Sequence, residues 1–269
     1  MGYAHIGIEH RDGVGWIWLD RPDKLNALSA DMWEDLPEAV AELSGDDSVR
    51  SIVVAGRGPA FTVGIDLEML ASLQPSGESD AASKQELYRT IRRLQGTMSA
   101  VAQSRVPVIA AVHGYCLGAG VDLITACDIR LASADAVFSV RETRLALVAD
   151  VGTLQRLPLI IGPGHVADLV YTGRDIDAAR AERIGLVNDV YPTVAALHEA
   201  AHSVAADVAS NSPLAVQGAK AVLRAGADMT VDQALDHVAL WNSAFLQSND
   251  LAEAISAHIE KRPPRFRGT

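Results

Sequence analysis

Val108-Ile109-Ala110-Ala111-Val112-His113-Gly114-Tyr115-Cys116-Leu117-Gly118-Ala119-Gly120-Val121-Asp122-Leu123 is the stretch that decides the fold. Its first five residues are uninterruptedly apolar and rich in β-branched side chains, the pattern of a strand covered on both faces and so central in a sheet. Glycines at 114, 118 and 120 break that pattern, and helix-like sequence follows. A strand that runs through a glycine-rich turn into a helix lets bare main chain approach a ligand. It also aims unpaired N-H groups and the positive end of the helix dipole at it. The apolar run Ser51 to Ala55 repeats the arrangement, passing into Gly56-Arg57-Gly58-Pro59-Ala60-Phe61-Thr62-Val63-Gly64-Ile65-Asp66-Leu67. Tight packing accounts for one such turn taken alone; two in one chain point to a site that stabilises negative charge.

Outward from these turns, short β-rich runs alternate with helical patterns from residue 3 to about 192, which predicts a mixed α/β architecture. Ile6 to Glu9 and Val14 to Leu19 read as strands joined by a turn at Asp12-Gly13, and Arg21-Pro22 ends them. A helix is expected from Ser29, with Trp33, Leu36, Val40 and Leu43 on its buried face and a kink at Pro37. Gln74-Pro75-Ser76-Gly77-Glu78-Ser79-Asp80 reads as a mobile loop. The helix after it carries Leu87, Ile91, Leu94, Met98 and Val101 on one stripe. The last third is helical: Ser212-Pro213 opens one helix, Thr230 with Gln233 forms a capping box for the next, and Pro263-Pro264 closes the last. Val231, Leu235, Val238, Trp241 and Phe245 are too apolar for a peripheral layer and are expected to pack on the core or on a neighbouring subunit.

The composition removes several classes of function. A chain of 269 residues, 49% hydrophobic and 21% charged, buries one large core. A net charge of -11 with only four lysines argues against a nucleic-acid partner. Arg89, Arg92 and Arg93 could form a local phosphate site but read first as a solvated helix face. No apolar run reaches membrane-spanning length, and Met1-Gly2-Tyr3-Ala4-His5-Ile6 resembles neither a leader nor a myristoylation signal. Cys116 and Cys127 read as small core residues in a reducing compartment. Gly118 and Gly120 imitate a dinucleotide fingerprint, but its third glycine is replaced by Leu123. There is no Gly-Lys pair for a phosphate loop and no Gly-x-Ser-x-Gly elbow.

Carboxylates remain for proton chemistry, and Glu142 and Asp150 follow the second turn. Taken singly, each reads as a solvated loop residue. Asp150 is flanked by apolar residues, which would raise its pKa and suit it to hold a proton near neutrality.

Together these segments resemble the crotonase, or enoyl-CoA hydratase/isomerase, superfamily over nearly the whole chain. Further parts of the match are Arg21-Pro22-Asp23-Lys24-Leu25-Asn26-Ala27-Leu28 and Thr153-Leu154-Gln155-Arg156-Leu157. The resemblance implies the crotonase spiral of repeated β-β-α units over residues 1–195, with the CoA-thioester site. It also implies a helical region over 196–269 that builds a homotrimer or a dimer of trimers. In the family two main-chain N-H groups hold the thioester carbonyl, expected here at Val63 and Ala119; Ala119 stands where the family usually has glycine. Lys24, Ala27, Gly64, Ile65, Asp66 and Leu67 are expected to contact CoA, with no metal and no cofactor beyond the CoA substrate. Typical hydratases carry Glu at the positions of Asp122 and Glu142 and Gly at that of Asp150. The trio Asp122, Glu142 and Asp150 instead is similar to the delta-3,5-delta-2,4-dienoyl-CoA isomerases. That similarity implies Glu142 as base beside the thioester, Asp150 as acid at the far end of the diene, and Asp122 tuning both. An ordinary 2-enoyl-CoA hydratase is the nearer alternative. A cytoplasmic location is expected, because Arg265-Phe266-Arg267-Gly268-Thr269 lacks a peroxisomal tripeptide.

One motif points elsewhere. His198-Glu199-Ala200-Ala201-His202 satisfies the H-E-x-x-H pattern of zinc hydrolases. Val194, Leu197, Ala201, Val204 and Val208 form the apolar stripe of that helix, so the two histidines are expected to flank it as boundary residues.

Overall fold

Asp12 and Gly13 take φ of 54° and 80°, the left-handed pair that a two-residue hairpin requires. They join β1 (Ile6–Arg11) to β2 (Val14–Leu19) in antiparallel register. This computed structural model describes residues 2–72 and 79–269. A 3-10 turn at Pro22–Lys24 leads to α1 (Ala30–Gly45), β3 (Ser51–Gly56), α2 (Leu67–Ser72) and α3 (Asp80–Gln103). Then come β4 (Val108–Val112), β5 (Tyr115–Leu117), α4 (Ala119–Ala126), β6 (Ile129–Ser133) and β7 (Val137–Ser139). A 3-10 turn at Glu142–Leu145 precedes α5 (Thr153–Arg156), α6 (Pro163–Thr172), β8 (Ile176–Asp177), α7 (Ala178–Arg183) and β9 (Asp189–Tyr191). Four helices end the chain: α8 (Val194–Ser210), α9 (Pro213–Gly226), α10 (Val231–Phe245) and α11 (Asn249–Glu260).

The main sheet has the order β1-β2-β3-β4-β6-β9, parallel from β2 onward, and a smaller sheet has the order β5-β7-β8. Bridges between Leu28 and Ile65 and between Thr62 and Cys116 bring the segments that follow β2, β3 and β4 side by side. The chain thus visits one sheet, then the other, then a helix, which is the repeated β-β-α spiral expected. β3 and β4 are central and wholly buried, as their apolar runs predict. Ile52 and Val54 face the inner core, while Val53 and Ala55 face the outer layer under α8. Residue 195, where the spiral is expected to give way to a separate helical region, lies within α8, whose Leu197, Ala201 and Ala205 are buried against the sheet.

Several local signals hold. Ser29 caps α1, and Trp33, Leu36, Val40 and Leu43 are buried. Pro37 cannot donate to the carbonyl of Trp33. The Thr97 hydroxyl on α3 donates to that carbonyl instead, at 2.8 Å. Of the loop expected at Gln74 to Asp80, residues 74–78 lie outside the described residues; Ser79 caps α3. Ser212 caps α9, and Thr230 with Gln233 makes the capping box of α10. The core does not take up the apolar side of α10: Val231 is 76% exposed and Leu235 59%. No helix among the described residues is long and apolar enough to cross a membrane.

Candidate active site

The site lies at the carboxyl ends of β3 and β4, where parallel strands leave a crevice. Asn26 locks the first turn there. It is fully buried, with φ of 55°, a left-handed value that asparagine tolerates. Its amide donates to the carbonyls of Arg57 and Ala60 at 2.9 and 2.8 Å, and its side-chain oxygen accepts the Arg21 N-H at 2.7 Å. The Thr62 hydroxyl donates to its main-chain carbonyl at 2.6 Å. Arg21 also donates to the carbonyl of Ala27 and to Asp66. The segment from Arg21 to Leu28 therefore acts as a clamp on the turn. The motif marked this segment, but a periodicity reading has no means of assigning Asn26 its role.

Two main-chain N-H groups face the crevice. Ala119 is the first residue of α4, so its N-H has no acceptor within the helix. The other expected donor, Val63, is corrected: its N-H is occupied by the carbonyl of Leu25 at 3.2 Å. Leu28 bonds to the Gly64 carbonyl and accepts from the Asp66 N-H. Strand alternation therefore turns the intervening Ile65 N-H away from Leu28, and it has no acceptor among the described residues. The usable pair is Ile65 and Ala119. Gly64 lets the two turns touch. Its φ is +90°, and a Cβ there would stand 2.7 Å from the Leu117 carbonyl oxygen and 3.3 Å from the Ala119 nitrogen.

Asp122, Glu142 and Asp150 line one cavity of about 970 Å³, with Ile65 and Ala119 in the same wall. Asp122, in the first turn of α4, is fully buried. One of its oxygens accepts the Thr153 N-H at 2.5 Å, and the other has no partner among the described residues. Burial pushes its carboxyl up to about 6; hydrogen bonds from Thr153 oppose that, the charge of Asp150 adds to it, and Arg156 pulls it back. Glu142 opens the 3-10 turn beside Gly118. Burial, then the charge of Asp122, pushes it up to about 7. Partial burial also raises Asp150, but its side chain is exposed at the cavity mouth and less enclosed than its apolar flanks imply. The three acids share one site and have unequal access to water.

Lys24, Ala27, Gly64, Ile65, Asp66 and Leu67 all border the cavity, as does Val63. Asp66 is committed structurally. Its carboxylate takes the Arg21 guanidinium at 2.5 Å and the Glu68 N-H, which holds it below the usual carboxylate range. Much of the remaining lining is apolar, with Trp33, Leu70, Leu87, Ile91, Leu94 and Val151. Arg93 pairs with Glu34, and Arg92 donates to Gln95, so these arginines form a solvated helix face.

His198 and His202 belong to α8, and their rings meet the outer face of the sheet. The His198 ring stands edge-on to Trp16 and Trp18, and His202 stacks on Trp16. Glu199 is exposed. No group of three or more His, Cys, Asp or Glu gathers at metal-binding range among the described residues.

The family model for enoyl-CoA hydratase/isomerase matches residues 9–269. A peroxisomal delta(3,5)-delta(2,4)-dienoyl-CoA isomerase of Arabidopsis thaliana is 46% identical over 251 residues, covering 92% of this chain and 90% of the relative. A mitochondrial delta(3,5)-delta(2,4)-dienoyl-CoA isomerase of Dictyostelium discoideum is 41% identical over 270 residues, covering 98% and 92%. Among solved structures, an enoyl-CoA hydratase from Bacillus anthracis superposes with a TM-score of 0.90 at 32% identity, covering 98% of this chain and all of that one. The cytoplasmic location expected from the sequence is overturned by these relatives, which are named peroxisomal and mitochondrial. Such addresses are read by receptors from short segments, so the fold does not record them.

Proposed function

Because the chain belongs to the enoyl-CoA hydratase/isomerase family, we propose that it converts a 3,5-dienoyl-CoA into the 2,4-dienoyl-CoA through a dienolate held by main-chain N-H groups. The observation that carries this reading is the third carboxylate, Asp150, at the mouth of the cavity that also holds Asp122 and Glu142. Moving two conjugated double bonds removes a proton next to the thioester and returns one at the far end of the diene. A single base does not span both ends.

Glu142 takes the proton from C2. The electron pair spreads into the thioester carbonyl and along the diene, and the N-H groups of Ile65 and Ala119 stabilise the resulting oxyanion. Losing one such donor costs on the order of a hundredfold in rate. Asp150 then gives a proton to C6, and the proton on Glu142 returns to the carboxylate set. An acyl chain filling the apolar lining strips water from Asp150 and pushes its carboxyl higher, which favours the acid form when it is needed. Burial, and after it the charge of Asp122, holds the Glu142 carboxyl up at about 7. The three acids titrate as a coupled group sharing protons. The chemistry is proton transfer and charge stabilisation, so it needs no cofactor beyond the CoA of the substrate. Lys24, Ala27 and the turn from Gly64 to Leu67 form the CoA-facing wall. The exposed apolar side of α10, in the helical region 196–269, is the surface on which copies of the chain assemble into a trimer or a dimer of trimers.

A 2-enoyl-CoA hydratase is the second reading, favoured by the solved hydratase that shares the fold. Matched thioesters separate the two. The isomerase generates 2,4-diene absorbance from a 3,5-dienoyl-CoA, whereas a hydratase bleaches a 2-enoyl-CoA. Turnover of the 2-enoyl substrate alone would refute the proposal.

A further inference from the structure

Asp122 and Glu142 are set by regular elements, but Asp150 is not. Among the described residues, the main chain of 148–151 makes no hydrogen bond to other main chain. Ala149 and Val151 are buried in the core on either side of Asp150, and the polar ties of the stretch are side chains. The Gln95 amide on α3 donates to the Asp150 carbonyl at 2.6 Å, and Arg156 reaches the Val151 carbonyl at 3.4 Å. Gln95 is itself oriented: the Arg92 guanidinium, a donor only, meets its side-chain oxygen at 2.7 Å. With the oxygen so occupied, the amide nitrogen must face Asp150. Gln95 does not line the cavity.

We infer that Gln95 is a positioning residue for Asp150. Held by Arg92, it fixes the loop so that the carboxyl meets the distal carbon of the diene. This rests on the isomerase reading above. Glu142 and the N-H pair are set by other elements, so the half-reaction at C2 proceeds without Gln95. The two halves of the chemistry thereby become separable. A displacement of about 1 Å costs up to a hundredfold in rate when geometry limits the step.

The test uses the full-length assembled protein and two variants. Gln95→Ala removes the tie; Gln95→Glu keeps the partner of Arg92 but replaces the donor with an acceptor. Two rates are read with a 3,5-dienoyl-CoA: formation of the 2,4-diene, and exchange of the C2 protons with solvent deuterium, which needs Glu142 and the oxyanion donors only. In both variants kcat for diene formation falls roughly ten- to a hundredfold. C2 exchange and KM stay within about twofold, the same split that Asp150→Asn produces. Unchanged diene formation in both variants overturns the inference. A parallel fall in exchange also overturns it, because it reveals general loosening of the site. A wild-type chain that exchanges C2 protons but forms no 2,4-diene removes the isomerase reading, and the inference with it. Failure of the inference alone is seen only against an active wild type.

Discussion

Replacing Asp122 by Asn tests whether this carboxylate is held where ionisation is costly. Its carboxyl is raised from 3.8 to about 6, chiefly by burial. A folded pKa above the unfolded one means that the group favours the native state below pH 3.8, and that this contribution is lost as pH rises through about 6. At pH 8 the full difference of about 2 units corresponds to about 3 kcal/mol against folding, and at pH 4.5 to about 1 kcal/mol. Asn mimics the protonated acid and carries no such pH-dependent cost. It keeps an oxygen for the Thr153 N-H, but sets an NH2 where the second carboxylate oxygen has no partner among the described residues. That penalty is the same at both pH values and cancels in the comparison. Denaturant unfolding of wild type and Asp122→Asn at pH 4.5 and 8, at one protein concentration, should show the variant gaining about 2 kcal/mol in relative stability at the higher pH. An equal difference at the two values would refute the placement of an ionisable, desolvated carboxylate at this position.

Asp150→Asn should lower kcat for diene isomerisation by roughly 10²- to 10⁴-fold, the range for losing a general acid, while a saturated acyl-CoA still binds in calorimetry with nearly unchanged affinity. The rising limb of kcat/KM against pH should lie near 7, where Glu142 titrates, and should move to lower pH in Asp122→Asn because the first charge that raises Glu142 is gone. Thr97→Val should cost about 1–2 kcal/mol in unfolding free energy by leaving the Trp33 carbonyl unpaired beside Pro37, with the kcat of the folded enzyme unchanged. His198 is held below its ordinary value by burial, then by His113. Its share of stability is therefore complete above about pH 6.5 and lost as pH falls, so His198→Phe should flatten the acid side of the stability profile.

The central strands and the helix caps were legible because each is a local pattern: an apolar run, a Ser or Thr before a helix. The three acids were not: Glu142 and Asp150 read singly as solvated loop residues, and the resemblance rather than any local pattern grouped them with Asp122 on what proves to be one cavity. Nor was the second oxyanion donor legible, since which N-H faces the crevice depends on strand parity. Val63 and Ile65 sit in the same glycine turn, and only the pairing to Leu25 and Leu28 assigns one inward and the other to the clamp. Asn26 and Gln95 escaped for a related reason. The carbonyls to which their amides donate lie 31 to 55 residues away along the chain, and a polar side chain beside a motif carries no periodic mark. The degree to which Asp150 is wet likewise reflects the shape of the cavity mouth rather than its apolar neighbours in sequence.

The division of the acids between rigid and loosely held elements bears on how one scaffold serves two chemistries. Asp122 stands on α4, the helix whose first residue presents the Ala119 N-H, and Glu142 on a 3-10 turn beside Gly118. Asp150 stands between two buried core residues, Ala149 and Val151, on a stretch whose main chain bonds only to side chains among the described residues; its own side chain is exposed, so gaining or losing a third acid there disturbs no strand and no helix. The difference in reaction between an isomerase and a hydratase on this fold need reside in only a few side chains: the acid, and the groups on α3 that aim it. The shared fold therefore leaves the reaction open, and the geometry around Asp150 is where the two readings part.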